Sequence, residues 1–526
     1  LAAGDLAMAK QDYELAAEQL HKALERFGDD PDAHYGLATA FYHSDRRAMM
    51  QSLDAAFVAN PNHAPALILL AEHQIDCEDY EGAAKSLERT LQANPWRPEA
   101  WAYRALLAHL ANDPNEAKVC RTRALKFWAT NPQVDHLIGV KLSQKYRFSE
   151  GSTFQRRALQ FDPNHVPARI QLAEDLLRLG QEEPGWTLAN QVADADPYNV
   201  KAYNLSTLHD SMSKFKTLEA DGFVLRMNEL EAAVYGDQAL VLLKQARSEL
   251  CEKYGLQLDS PVTVELFANP QDFAVRTFGI PDVDGYLGVC FGSVITANSP
   301  KAQRPANWQA VLWHEFCHVV TLHLTRNKMP RWLSEGISVY EESQRNPTWG
   351  QRMNPRYRRM ILTGELTPIG KLSGAFLNPP TPRHLQFAYY ESSLVVEFLI
   401  GRFGLQSIRA ILADLGDGAE INTALSKHAA PLAQLEEQFE AFARKRAEAM
   451  APQADWDEPS EEQVNPADPQ AVADWLAGHP NSFWALRLQA QMLLKSEQWE
   501  QAKKPLERLI SLYPAYAEED NAYQLL

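Results

Sequence analysis

The sequence predicts a mainly α protein in three parts: an N-terminal α-solenoid of helical repeats, a middle α+β domain, and a short C-terminal helical repeat module. Three observations carry this. Proline following Asn or Asp recurs through the first 210 residues at a spacing near 34. A second pair, Pro480 and Pro514, keeps the same spacing near the end. Between the two sets, strand-like runs precede a strongly apolar segment that contains His314-Glu315-Phe316-Cys317-His318. The boundaries that follow are 1–212 for the solenoid, 213–450 for the middle domain, 451–469 for an acidic Pro-containing linker and 470–526 for the last repeats. A length of 526 residues suits two to four domains.

The first part is read from its period. The prolines stand at 31, 61, 95, 132, 163 and 197, in steps of 30, 34, 37, 31 and 34. A period near 34 with two helices per unit is the tetratricopeptide signature. Leu70 and Ala71 fall in a first helix, and Ala83, Leu87 and Thr90 in the second. Trp101 and Tyr103 start the next unit in the same way. Small residues let neighbouring helices approach, so that stacking buries a shared core. Such stacks form a groove that binds peptides or protein partners, and a spacer or oligomerisation scaffold is the plainer alternative. Gly4, Ala16, Leu20 and Ala23 match positions 8, 20, 24 and 27 of the unit, which predicts a chain that starts inside a repeat. It stops at Leu526 before a following repeat completes, so a fragment or processed form is expected.

In the middle domain, Val262 to Phe267 alternates β-branched and apolar residues and ends at Asn269-Pro270, which predicts a strand. Val289 to Ala297 is read as a second. The apolar flanks of residues 314–318 predict a buried helix. On a helix, residues four apart share a face, so His314 and His318 can reach one metal ion with Glu315 beside them. Pro330 and the polar residues before it end that helix. Trp332-Leu333-Ser334-Glu335-Gly336 then opens another, with Ser334 as its cap. Catalytic zinc takes three protein ligands and one open position. Glu335, at the head of the second helix, offers the third.

These two blocks resemble the gluzincin metallopeptidases, especially the peptidase MA-like and aminopeptidase-type members. Trp332, Leu333, Glu335, Gly336, Tyr340 and Glu342 stand at the positions of the family's second block. The resemblance implies one zinc ion per chain held by His314, His318 and Glu335, with Glu315 as general base. It also implies a tyrosine on a later helix to stabilise the oxyanion: Tyr389, with Tyr390 as second choice. Glu342, seven residues after Glu335, shares its helix face and is a candidate to orient a histidine, a solvated carboxylate being the alternative. By resemblance, the second strand-like run is the sheet edge that takes substrate main chain. His323 is expected to point away from the metal, His384 to lie on the surface before the tyrosine helix, with a contact to substrate as the alternative, and Cys317 to be a small core residue. The family's Gly-x-Met-Glu-Asn element has no counterpart: Gly285-Tyr286-Leu287-Gly288 occupies its region without an acidic residue. Only sixteen residues separate His318 from Glu335, and Ser334 replaces the usual Asn. An endopeptidase-like cleft or an unusual specificity is therefore expected, rather than a simple aminopeptidase.

The function predicted is a zinc-dependent metallopeptidase whose repeats recruit substrate or partner proteins. The alternative is a tetratricopeptide scaffold with an inactive or non-peptide-hydrolysing domain. With 51 basic and 68 acidic residues the net charge is −17, which argues against nucleic acid and anionic membranes as main partners. Five scattered cysteines show no disulfide framework. No apolar run is long enough to span a bilayer and no signal peptide is visible. An exported and a cytoplasmic location both stay open.

Overall fold

In the computed structural model, which describes residues 1–10, 12–283, 285–302, 306–460, 462–518 and 521–526, antiparallel helix pairs fill the first two hundred residues. Glu461 of the acidic segment lies outside the described residues. The first helix of successive pairs starts at Pro31, Ala64, Pro98, Pro132, Val166 and Val200, in steps of 33, 34, 34, 34 and 34. The repeat is thus more regular than its prolines. Asn60, Asn94, Asp162 and Asp196 end second helices, the first three in an extended conformation, and the proline after each stops the helix. Pro31 and Pro132 instead open first helices behind the N-caps Asp30 and Asn131. Mixing these two classes produced the uneven steps of 30, 37 and 31.

Each pair packs through small residues. Ala71, Ala83, Leu87, Ala100, Tyr103, Leu106 and Ile138 belong to one buried cluster across three helix pairs. The loop inside four successive pairs turns through a left-handed residue, at Glu78 (φ 60°), Asn112 (60°), Tyr146 (64°) and Gly180 (72°), again 34 apart. The helix Val200–Met212 closes the series.

Behind it lies a five-stranded sheet of order β1-β2-β3-β5-β4, formed by β1 Phe215–Ala220, β2 Phe223–Asn228, β3 Val262–Phe267, β4 Gly288–Cys290 and β5 Val294–Asn298. β2, β3 and β5 run parallel, and hairpins add β1 and β4 antiparallel at the two edges. The strand read over Val289–Ala297 is in fact the hairpin of β4 and β5. Gly292, at φ +109°, makes the turn that a side chain would strain. The sheet also shares a core with the last repeats: Phe148, Leu177, Trp186 and Leu205 pack in one cluster with Phe267, Phe273, Phe291 and Val294. The N-terminal repeats and the middle domain, apart from residues 352–367 and 433–450, belong to one compact unit, Leu1–Gln351 with Pro368–Leu432.

A second unit comprises Arg352–Thr367 and Ala433–Leu526. Its helix pair Phe483–Lys495 and Trp499–Leu512 is the repeat echo marked by Pro480 and Pro514. Within this unit the acidic segment is pinned by Trp456, whose ring lies 4.8 Å from Phe483 and beneath Arg358. Among the described residues, no helix is long and apolar enough to cross a membrane.

Candidate metal centre

The helix Trp308–Thr325 starts at Asn307, whose side chain accepts from the Ala310 amide, and ends where Arg326 turns left-handed. It is buried on nearly every face, against the sheet through Phe316 on Phe223. Its i, i+4 histidines bring their Nε2 atoms to 3.0 Å of each other. The next helix spans Arg331–Arg345, with Pro330 as its N-cap residue. It starts earlier than expected, because proline favours the first turn and cannot continue the preceding one. Ser334 is therefore not a cap but lies inside the helix, and Glu335 stands in the second turn. Glu335 Oε2 lies 3.2 Å from His314 Nε2 and 3.5 Å from His318 Nε2.

These three atoms are the one group of potential metal ligands found among the described residues. Their spacing suits zinc. With Zn–N and Zn–O bonds of about 2.0–2.1 Å, ligand atoms on a tetrahedron stand about 3.3 Å apart. The observed edges of 3.0, 3.2 and 3.5 Å close to that without rearrangement.

The outer nitrogens are also held. His314 Nδ1 meets Glu342 Oε1 at 2.5 Å, and His318 Nδ1 meets Ser334 Oγ at 2.8 Å and Ser338 Oγ at 3.3 Å. Both Nε2 atoms are thereby aimed at the same point. Ser338 was not singled out from the sequence. Its signal was the spacing 334, 335, 338, 342, a helical stripe facing the two histidines. Gly336 has a separate reason. A Cβ there would come within 2.6 Å of the Ser392 carbonyl oxygen, so glycine lets the helix Pro382–Phe403 close on the site.

The electrostatics favour a cation. Burial opposes charge on Glu335, but hydrogen bonds from His314 and His318 and the charge of Arg331 outweigh it and hold the carboxyl well below its usual range. Burial likewise disfavours a charged His314, yet Glu335 and Glu342 raise its pKa well above the ordinary imidazole value. Positive charge placed among these groups, as a proton or a metal ion, is stabilised. Glu315 is 5% exposed, and burial lifts its pKa against the lowering influence of the two histidines. Its side chain lies against Gly288, the first residue of the edge strand β4.

Tyr389 stands beside this group. Arg331 Nη2 donates to its hydroxyl at 3.4 Å, and Arg331 Nε reaches Glu335 Oε1 at 3.4 Å. Burial, and then Glu335, push the phenol pKa upward. Tyr390 is buried toward Phe387. His323 binds the Val319 carbonyl and Ser293, away from the centre, and Cys317 is fully buried. His384 lies inside the helix Pro382–Phe403, not before it, with Nδ1 on Thr381 Oγ1.

Residues 243–444 match the model of the Peptidase MA superfamily. No curated protein matches the chain. Among solved structures, it is similar to a thermophilic tetratricopeptide-repeat protein of Thermus thermophilus (20% identity, 34% of this chain and 97% of that one, TM-score 0.29). It is similar also to PilF of Pseudomonas aeruginosa (17% identity, 39% and 93%, TM-score 0.26). A third is YrrB, described as a repeat protein with an unusual peptide-binding site (18% identity, 36% and 99%, TM-score 0.22). At these TM-scores the likenesses carry no functional weight. The middle of the chain is a peptidase MA domain, and helical repeats of tetratricopeptide type precede it.

Proposed function

We propose that the chain is a zinc-dependent metallopeptidase whose repeats recruit peptide or protein partners. The observation that carries this is the convergence of His314 Nε2, His318 Nε2 and Glu335 Oε2, with both outer nitrogens anchored and Glu315 beside them. Bound zinc would polarise a scissile carbonyl and bring the pKa of a water at the fourth position to about 7. Glu315 takes the attacking water's proton on a carboxylate oxygen and delivers it to the leaving amine. Its buried, elevated carboxyl suits a group that must accept a proton and then release it. The Tyr389 hydroxyl, oriented by Arg331, donates to the developing oxyanion. The edge strand β4 lies alongside Glu315 and offers main-chain groups to an extended substrate.

The test is metal analysis with peptide-library cleavage, comparing wild type with Glu315→Gln. About one zinc per chain in both proteins, with cleavage in the wild type only, is expected. Wild-type protein without zinc overturns the site, and zinc without cleavage of any peptide overturns the reaction.

A further inference from the structure

The helix Leu372–Leu377 has six residues, too few to hold its shape alone, and Pro379 and Pro380 follow to stop it. Its place is therefore set by what it touches. It packs on the helices Arg331–Arg345 and Pro382–Phe403, which carry Glu335 and Tyr389, and buries Leu372 and Phe376. The Phe376 ring meets Tyr389 edge to face at 5.0 Å, and the Arg331 guanidinium lies over the same ring at 5.8 Å. Arg331 in turn reaches the Tyr389 hydroxyl and Glu335 Oε1, each at 3.4 Å. Phe376 thus packs on both side chains that fix where the Tyr389 hydroxyl stands.

The end of this short helix is held by the repeats. The last carbonyls of a helix lack partners inside it. That of Leu377 accepts from Arg46 Nη1 at 3.3 Å and from Cys77 Sγ at 3.7 Å. Arg46 opens the second helix of one pair and Cys77 caps the first helix of the next, 331 and 300 positions earlier in the chain. A guanidinium at a helix C-terminus also suits the helix dipole. Later repeats meet the middle domain in the same manner: the Tyr146 carbonyl accepts from Asn327 at 2.6 Å, and Arg178 donates to the Thr277 carbonyl at 3.3 Å.

We propose that Phe376 is a positioning residue for Tyr389, and that the repeats hold it in place by gripping the Leu377 carbonyl through Arg46 and Cys77. The solenoid then acts on the rate at the metal centre through a contiguous set of contacts: Arg46, Leu377, Phe376, Tyr389. The effect on rate rests on the metallopeptidase reading, whereas the grip does not, so each has its own measurement.

Amide hydrogen exchange on the metal-free full chain reads the grip. Arg46→Ala is expected to speed exchange over residues 372–378 by about 5–10-fold, the loss of one charge-assisted hydrogen bond. Exchange there that is unchanged, or that rises only together with the whole chain, overturns the grip. Steady-state cleavage of a library peptide by the zinc-loaded chain reads the positioning. Phe376→Leu keeps an apolar side chain in the buried place and is expected to lower kcat about 10-fold with KM within about twofold, because an oxyanion donor acts in the transition state. Arg46→Ala should lower kcat in the same direction by about 2–5-fold. In a Tyr389→Phe background both substitutions should change kcat less than about twofold, since the hydroxyl they position is gone. Equal losses with and without that hydroxyl overturn the positioning role and leave Phe376 a packing residue only. Zinc-loaded wild type that cleaves no peptide overturns the metallopeptidase reading and the positioning role with it, while exchange still decides the grip.

Discussion

Gly288 offers the sharpest probe of Glu315 as the proposed general base. It opens the edge strand β4, and its φ lies outside the left-handed region, so alanine can adopt the same backbone. A Cβ there would stand 2.8 Å from Glu315 Cγ, 2.8 Å from Glu315 Oε1 and 2.8 Å from Val311 Cγ1. Ordinary contact begins near 3.4 Å. Val311 and Glu315 lie on one face of a helix packed on nearly every side, so the Glu315 side chain is the group that yields. It must move by about 0.6 Å, and a misplacement of that order costs about 10–100-fold in rate. The equivalent barrier is about 1.4–2.7 kcal/mol. The imidazoles of His314 and His318 are held from the other helix by Glu342, Ser334 and Ser338, which the substitution does not touch. Gly288→Ala is thus expected to lower kcat by that factor while zinc content stays at one per chain. Steady-state kinetics on a cleaved peptide and metal analysis on the same preparation check it. Unchanged kcat would refute the placement of Glu315 as base. Loss of zinc would refute the claim that base and ligands are positioned separately.

Glu342→Gln removes the charged partner of His314 Nδ1. Zinc affinity, measured by competition with a chelator, is expected to fall about 10–100-fold, and a change under threefold would remove Glu342 as an anchor. The repeats have their own titration. Burial holds the His136 imidazole at about 4, against a partial opposing effect of its bond to Gln155. The unfolded chain takes up the proton near 6.5 and the folded chain only near 4, so stability falls as pH drops through that window. The ceiling is about 3 kcal/mol, less where solvent reaches the ring. His136→Gln should flatten the loss between pH 7 and 4.5 in urea melts, and an unaltered pH slope would count against it.

Much of this was legible because its signals are local. The tetratricopeptide period survived in the prolines even though they play two roles, since both mark helix boundaries. The histidine pair was readable from helical spacing alone, and Glu335 from the block beginning at Trp332. The missed parts have physical causes. The hairpin of β1 and β2 was overlooked although Asp221-Gly222, with φ of 47° and 82°, is a strong turn signal. The strand residues around it are mixed with Lys and Glu, and β1 is an edge with half its side chains in solvent. The helix start at Arg331 was misplaced because Ser334 looked like a cap, when its hydroxyl serves His318 instead.

The sequence by itself determined the fold class, the repeat length and the residues able to hold a metal, because periodicity and helical spacing are properties of neighbouring residues. Tertiary structure decided what long-range packing alone can specify. It gave Glu342, Ser334 and Ser338 to the two histidines and set Glu315 against the glycine of an edge strand. The hydrogen bonds to the histidines join residues from 16 to 28 positions apart, and only the packing of one helix on the next brings them together.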